Sequence, residues 1–143
     1  MKDIEKPHYD VTAGLIWKDR RLLISKRPKG THLEGFWEFP GGKQEAGEDL
    51  RMCLQREIEE ELGIEARVDA PLMTVDHEYE TKRIALHVFN CTWIRGEPQA
   101  LQCQEIRWVD WDDLSDLRFP PPDMKVIETL SKRCIEFSTF DVK

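Results

Sequence analysis

FPGGKQEAGEDLRMCLQREIEEELGI, residues 39–64, is a glycine-rich loop followed by the strongest predicted helix of the chain. Asp49 is placed to be the N-cap of this helix, and Gly63 stands where a left-handed C-terminal residue belongs. At about 100° per residue the helix has one apolar stripe, formed by Leu54, Ile58 and Leu62. The pattern predicts a helix that packs one face on a core.

Five glutamates crowd the end of this helix and the residues just after it: Glu57, Glu59, Glu60, Glu61 and Glu65. Like charges three or four residues apart destabilise a helix by roughly 0.2–0.5 kcal/mol per pair. Helical geometry turns Glu59 away from the apolar stripe but places Glu57, Glu60 and Glu61 on a face that borders it. A solvated charged face therefore explains Glu59 and fails for Glu61.

Carboxylates that share a partly desolvated face need a proton or a cation to stabilise them. Arg56 is the basic residue one turn away, placed to meet Glu60 or to reach back to the glutamates of the loop. A hard divalent cation takes oxygen ligands, and magnesium usually shares its remaining positions with waters and substrate phosphates. The cluster therefore indicates chemistry on phosphates.

The composition bounds the class of protein. The chain has 143 residues, 40% apolar and 34% charged, and fits one globular domain over residues 1–143. It has no run of roughly 18 apolar residues for a membrane helix and its start lacks the apolar segment of a secretion signal, so we expect a cytoplasmic protein. A net charge of -7 argues against stable binding to a nucleic-acid duplex, because such binding neutralises phosphates with Lys and Arg.

Alternating and β-branched runs predict strands on both sides of the helix. Two hairpins and a final strand are expected, at residues 11–17 with 21–27, 66–80 with 82–94, and 105–111, followed by an acidic helical turn at 111–117. The last helix is predicted over residues 124–137, with Asp123 as its N-cap. This order predicts an α/β (α+β) fold with a mixed sheet and helices packed on it.

The loop and helix together resemble the signature of the Nudix family. Gly42, five spacers, Glu48, seven spacers and REIEEELGI (residues 56–64) match every position of G-x5-E-x7-R-E-U-x-E-E-x-G-U, where U is a bulky aliphatic residue. Two stretches, LLISKRP and GFWEFPGGK, are similar to the MutT-like branch. The resemblance implies an α/β/α sandwich and a magnesium-dependent hydrolase of nucleoside diphosphates linked to a further group. In that branch a nucleoside triphosphate yields the monophosphate and pyrophosphate.

The resemblance also implies roles for individual residues. The implied metal ligands are Glu57, Glu60, Glu61 and the carbonyl of Gly41. One of these carboxylates is also implied to accept the proton of an attacking water. Arg56 and Glu48 are implied to form an ion pair that fixes the loop to the helix. Gly42 and Gly63 are implied to be needed for the backbone conformation. The implied nucleotide contacts are Arg27 and Asp123, with Phe39 and Lys82 as further candidates. The metal implied is Mg²⁺, for which Mn²⁺ is expected to substitute. A solvated charge at a strand end is the alternative for Arg27.

One position departs from the MutT-like pattern. Such enzymes often carry a further glutamate six residues before the tryptophan of the RW strand, and counting back from Trp108 gives Gln102. Glu105 is the nearest acid. Three alternatives follow: Glu105 substitutes in catalysis, Glu57 serves as the base alone, or turnover is slower.

The base preference is expected to depend on Asp123. In the resembling enzymes an Asn after the corresponding FPPA stretch reads 8-oxoguanine, because its amide donates to O6 and accepts from the N7 hydrogen. An ionised Asp only accepts and also suits the amine of cytosine, whereas a protonated Asp would recover the donor. We expect 8-oxo-dGTP to be accepted, with CTP or dCTP as the main rival, and Asp123→Asn to raise the preference for 8-oxo-dGTP roughly tenfold. A helix cap is the alternative role.

Two other classes of function are open at this point. Domains of this fold also serve as ligand sensors or as the damaged-base-reading domain of adenine glycosylases, but such modules usually lose carboxylates of the signature, and this chain keeps them. A purely structural acidic helix leaves Glu61 and the spacing unexplained. The favoured hypothesis is an enzyme that removes oxidised nucleotides in support of DNA repair, a monomer or homodimer whose partner is its small-molecule substrate.

Overall fold

Six strands form one mixed sheet within residues 5–140, the part of the chain that the computed structural model describes, with side chains described for residues 5–132. The strands are β1 (His8–Lys18), β2 (Arg21–Lys26), β3 (Trp37–Glu38), β4 (Glu65–Glu78), β5 (Arg83–Arg95) and β6 (Glu105–Asp110). Their order is β3, β2, β1, β5, β4, and β6 pairs with β2. The sheet is mixed, as predicted, because β1 pairs in parallel with β5 while the other pairs are antiparallel.

Both predicted hairpins are present. The first is formed by β1 and β2, with Trp17 opposite Leu22, and the second by β4 and β5, with Val75 opposite Leu86. The β-branched and apolar residues of these runs fit a pleated surface that is half or fully buried, which is why they form strands. The predicted acidic turn follows β6 as a short 3-10 helix at Trp111–Asp116.

The helix α1 (Leu50–Leu62) begins and ends where the sequence predicts. Asp49 Oδ1 accepts a hydrogen bond from Met52 N at 2.8 Å, and Gly63 adopts a φ of 70° while its N–H donates to Glu59 O. The apolar stripe of α1 is fully buried on one face of the sheet: Leu54, Ile58 and Leu62. Burial of this stripe fixes the rotation of the helix about its axis, and with it the direction in which its glutamates leave the helix.

The helix α2 (Pro121–Phe140) covers the opposite face of the sheet. Its buried apolar residues pack among side chains from β1, β2 and β5: Val126, Ile127 and Leu130. The predicted core positions Cys134 and Phe137 lie outside the described side chains. Because one helix packs on each face, the architecture is the predicted α/β/α sandwich. Neither helix, over its described residues, is long and apolar enough to cross a bilayer.

Two local predictions differ from the structure. The helix α2 begins at Pro121, before the predicted cap, because proline is tolerated in a first helical turn and Met124 N donates to Pro120 O at 2.9 Å. Asp123 therefore lies inside the first turn, and its prediction as the N-cap is wrong. The strand β3 was not predicted, since two residues are too few to show alternation.

Candidate functional site

A cavity of about 380 Å³ lies where the glycine-rich loop meets β1, β2, β3 and the start of α2. Its wall brings together seven residues to which the sequence assigned a role: Arg27, Phe39, Gly41, Gly42, Glu61, Lys82 and Asp123. These residues are far apart in sequence and belong to different elements. The fold therefore assembles this wall, and we take the cavity as the candidate active site.

The glycine-rich loop is pinned to β1 by its backbone. Pro40 O accepts a hydrogen bond from Gly14 N and Gly42 O accepts one from Thr12 N, each at 2.8 Å. Between them, the carbonyl of Gly41 accepts no hydrogen bond from any residue that the structure describes. A Cβ on Gly41 would overlap the carbonyl oxygen of Thr12, so only glycine fits this close approach. The Gly41 carbonyl is thus left available as a hard oxygen ligand.

Glu57 packs directly on this loop. A Cβ on Gly42 would lie 2.5 Å from Glu57 Oε1, so the absence of a side chain at Gly42 makes room for the carboxylate. Burial raises the pKa of the Glu57 carboxyl, although the neighbouring Arg56 guanidinium opposes the shift. The loop and the helix therefore fit together through this one carboxylate.

Glu61 lies one turn further along α1. Burial raises the pKa of Glu61 well above its ordinary value, and the charges of Glu38 and Glu57 raise it further, while the Gly41 backbone amide opposes them. Glu57 and Glu61 lie within hydrogen-bonding reach of each other. Adjacent half-buried carboxylates ionise together only when a cation offsets their repulsion. The pair therefore has the electrostatics of a cation site.

Arg56 holds the loop and the helix together. Its Nη2 and Nε lie 2.7 and 3.0 Å from the two carboxylate oxygens of Glu48, a bidentate arrangement. Its Nη1 donates to Glu57 at 2.9 Å and to Glu60 at 3.2 Å. The hydrogen bonds from Arg56 lower the pKa of Glu48 to about 2, so Glu48 stays ionised and keeps the pair intact. One guanidinium thus fixes the loop and orients Glu57.

The four predicted metal ligands are not assembled as a single group. Among the described residues, no three side chains of Asp, Glu, His or Cys converge in the geometry of an ion site. Glu60 binds Arg56 with 45% of its side chain exposed. Glu57 packs against Gly42, and Glu61 is hydrogen-bonded by the backbone amide of Gly41, so both carboxylates reach the loop that carries the predicted Gly41 carbonyl ligand.

Glu105 stays outside the cavity wall. It lies on β6, and its Oε2 accepts a hydrogen bond from Arg107 at 3.0 Å. The wall on this side contains Gln102 and Cys103 instead. The structure therefore places Gln102, and not Glu105, in the cavity wall.

Glu38 is a site residue that the sequence analysis missed. It lies on β3 between the buried aromatics Trp37 and Phe39, lines the cavity, and accepts a hydrogen bond from Arg27 Nη1 at 2.9 Å. Burial raises the pKa of Glu38, Arg27 opposes the shift, and Glu57 adds to it. The sequence does contain a signal for Glu38, because an acidic residue stands there between two large aromatic residues of an extended segment. Alternation turns this side chain to the face of the strand opposite to the two aromatic rings.

Three basic side chains also line the cavity: Arg27, Lys43 and Lys82. Burial lowers the pKa of Lys82, and the charges of Lys43 and Arg27 lower it further. Arg27 is half-buried, and its Nε donates to His32 O at 2.6 Å, which does not fit the alternative of a solvated strand-end charge. A basic wall of this kind favours an anionic ligand.

Asp123 lies in the wall on the α2 side. It is 7% exposed, and its Oδ2 accepts a hydrogen bond from Phe39 N at 3.2 Å. The Phe39 ring is itself buried and stacks on Phe119 with centroids 5.4 Å apart. Burial, with the charge of Glu38, raises the pKa of Asp123 to about 8. The carboxyl is therefore mostly protonated at neutral pH, which gives it a hydrogen-bond donor.

Asp123 makes the stability of the free protein depend on pH. The folded chain holds a proton that the unfolded chain releases near the ordinary pKa of 3.8, so the free energy of unfolding falls as pH rises from about 4 to about 8. We expect Asp123→Asn to raise the melting temperature at pH 8 by roughly 10 °C or more and to change it little at pH 4. Thermal melts of both proteins at the two pH values measure this. An equal difference at both would contradict the assignment.

Several known proteins are similar to this chain in sequence. A family model described as the NUDIX domain matches residues 12–129, which include the loop and α1. The chain is 34% identical over 119 residues to the CTP pyrophosphohydrolase of Escherichia coli (strain K12), covering 83% of this chain and 88% of the relative. It is 36% identical over 129 residues to the 8-oxo-dGTP diphosphatase of Haemophilus influenzae, covering 89% of this chain and 94% of the relative.

The fold is similar to a solved structure as well. The solution structure of the E. coli ORF135 protein aligns with a TM-score of 0.79 and 31% sequence identity. The alignment covers 89% of this chain and 91% of that one. The similarity therefore extends over both layers of helix and the sheet between them.

Proposed function

This chain belongs to the Nudix family of hydrolases, and we propose that it is a magnesium-dependent pyrophosphohydrolase that converts a nucleoside triphosphate into the monophosphate and pyrophosphate. The observation that carries the proposal is the pair of adjacent carboxylates, Glu57 and Glu61, packed on the glycine-rich loop beside a cavity with a basic wall. Carboxylates and a carbonyl suit a hard cation, and basic side chains suit the phosphates. We propose that residues 1–143 act as one domain.

The donor set fits a divalent metal in its chemistry. Glu57, Glu61 and the Gly41 carbonyl are all hard oxygen donors, and Gly42 leaves open the space that a Cβ would fill beside Glu57. Glu60, exposed on the same helix, is the further proposed ligand. When bound, the metal would neutralise charge on the phosphates and lower the pKa of the attacking water. We expect Mn²⁺ to substitute for Mg²⁺, and Ca²⁺ to support activity poorly, because Mg²⁺ sites require compact octahedral geometry.

The other steps rest on side chains of the chain itself. Glu57 is the proposed proton acceptor, since burial makes it a stronger base than a solvated glutamate while Arg56 holds it in place. Glu105 is less suited, because it lies on β6 paired with Arg107, whereas Glu57 packs directly on the glycine-rich loop beside Glu61. Arg27 and Lys82 are the proposed contacts of the nucleotide, supported by their position in that wall.

Asp123 is the proposed reader of the base. With a pKa of about 8, Asp123 can donate a hydrogen bond to O6 of 8-oxoguanine at neutral pH. An ionised Asp123 only accepts hydrogen bonds, and it suits the amine of cytosine as well as the N7 hydrogen of 8-oxoguanine. The proposed substrates are therefore 8-oxo-dGTP and, as the second candidate, CTP or dCTP. The names of the two similar enzymes, an 8-oxo-dGTP diphosphatase and a CTP pyrophosphohydrolase, support the same two candidates.

The base preference is expected to change with pH. In the wild type, the ratio of kcat/KM for 8-oxo-dGTP to that for CTP should fall as pH rises through about 8, because Asp123 loses its donor. Asp123→Asn keeps a donor at every pH, so it should exceed the wild-type ratio by roughly tenfold at pH 9 and by much less at pH 7. Kinetics on both substrates at the two pH values provide the measurement. An unchanged ratio would remove Asp123 from base reading and favour Phe39 or Lys82.

The function itself is tested with a panel of ordinary and oxidised nucleoside triphosphates. We expect kcat/KM to be highest for 8-oxo-dGTP or CTP in the presence of Mg²⁺. A ligand-binding module is the competing class, and it predicts binding of nucleotides without turnover of any of them. The retained carboxylates at the loop favour the enzyme, because a binding module has no need to confine two repelling glutamates beside a cavity.

A further inference from the structure

The hydroxyl of Ser25 stands out among the buried polar groups. Within the described residues, it is the one buried side-chain nitrogen or oxygen to which no hydrogen-bond partner can be assigned. Ser25 is 1% exposed and lines the candidate active-site cavity. Leaving a buried hydroxyl unpaired costs about 1–3 kcal/mol, and native proteins contain few such groups. The position therefore indicates a polar group that the cavity receives.

Strand alternation decides which side of the sheet Ser25 faces. Leu22 and Ile24 pack in the core together with residues of α2, whereas Leu23 packs in the core together with residues of α1. Because successive side chains of a strand point to opposite faces, Ser25 lies on the α1 side. It therefore shares a side with Glu61 of α1, while Asp123 approaches the cavity from the helix on the other face.

Ser25 has two direct cross-strand neighbours, Ile106 on β6 and Glu38 on β3, and Glu38 is the polar one. Ser25 and Glu38 lie directly opposite each other in the ladder between β2 and β3, an arrangement that places Cβ atoms about 4.5–5.5 Å apart. One oxygen of Glu38 accepts a hydrogen bond from Arg27 Nη1, and the charge of Glu38 acts on Glu61. Ser25 thus contributes a neutral polar group to the same cavity wall as the charged residues Arg27, Glu38 and Glu61.

We propose that the Ser25 hydroxyl binds the sugar-phosphate part of the nucleotide, an inference that rests on the proposed function. A phosphate or sugar oxygen supplies the partner that the hydroxyl lacks, and a hydroxyl can donate to it or accept from it. Asp123, the proposed base reader, enters the cavity wall from α2, whereas Ser25 enters it from the α1 side of the sheet, so we expect Ser25 to contribute to the binding of every nucleotide to the same extent. Ser25 then sets the affinity for nucleotides in general, and Asp123 sets the preference among bases.

The test is isothermal titration of dCMP and of 8-oxo-dGMP, which share the same sugar, with Mg²⁺ present, into wild type, Ser25→Ala and Ser25→Thr. We expect Ser25→Ala to raise the Kd of both nucleotides by roughly the same factor, about tenfold. Ser25→Thr keeps the hydroxyl and suits a strand, so its Kd values should stay within about threefold of wild type. Without nucleotide, Ser25→Ala should melt at the wild-type temperature or above it, because it removes an unpaired buried hydroxyl.

Three results would overturn this inference. Equal Kd values for wild type and Ser25→Ala would show that the hydroxyl does not contact the nucleotide. A loss confined to one of the two bases would contradict the assignment to the sugar-phosphate part. A lower melting temperature for nucleotide-free Ser25→Ala would assign a structural role. Failure of the proposed function is distinguishable from all three, because it would appear as absence of nucleoside triphosphate turnover by the wild type, a result that leaves the comparison of Kd values unchanged.

Discussion

Glu57→Gln and Glu61→Gln are each expected to lower kcat by about 10- to 100-fold or more while leaving the fold intact. Glutamine keeps the shape of the side chain and its ability to accept hydrogen bonds, but it removes an anionic oxygen donor beside the Gly41 carbonyl. Steady-state kinetics on a nucleoside triphosphate with saturating Mg²⁺ measure the loss. Turnover within about threefold of wild type for both variants would remove these residues from the proposed ligand set.

Stability provides the control for this pair. Both glutamates have raised pKa values, so at neutral pH their charges destabilise the metal-free folded state, and glutamine should leave the melting temperature unchanged or higher. Glu59→Gln is the matched variant, because Glu59 is exposed on the same helix. We expect its kcat to equal that of wild type. A decrease in kcat for Glu59→Gln as large as for the other two would indicate a general effect of helix charge.

Gly42→Ala is expected to lower kcat by at least about tenfold. The added Cβ would lie 2.5 Å from Glu57 Oε1, so either the carboxylate or the loop must move, and a displacement of this size disrupts a metal site or a base. The same assay measures the result. Wild-type turnover in Gly42→Ala would show that the contact between the loop and Glu57 is not needed for the reaction.

Gly47→Ala is the matched control for the loop. Gly47 has a φ of 85°, and a Cβ there would meet no atom within 4 Å. Alanine at this position therefore costs about 1–2 kcal/mol of backbone strain but produces no clash with the site. We expect a lower melting temperature and nearly unchanged kcat, in contrast to the loss of kcat expected for Gly42→Ala.

The features that the sequence predicts are those set by local spacing. The caps and apolar stripe of α1 follow from residues within one helix, and the contacts of Arg56 with Glu48 and Glu60 follow from a helix of known rotation and a short loop. The two hairpins follow from alternation and short turns. Each of these depends on neighbours within about a dozen residues, and sequence patterns report such neighbours well.

The features that the sequence does not predict depend on pairing across the fold. Glu38 belongs to the site because β3 pairs with β2, and two residues of strand carry no periodic signal. The raised pKa of Asp123 depends on burial between α2 and the residues of β3. Asp123 was expected to cap α2, and the prolines before it obscured the start of the helix, because proline both ends an extended segment and begins a helix.

The most direct test of the account is the identity of the products by ³¹P NMR. CTP or 8-oxo-dGTP, incubated with the protein and Mg²⁺, should give the nucleoside monophosphate and pyrophosphate in equal amounts, and excess EDTA should abolish the reaction. A nucleoside diphosphate with orthophosphate as the products, or full turnover in EDTA, would contradict the claim that the carboxylates at the glycine-rich loop serve metal-dependent pyrophosphohydrolysis.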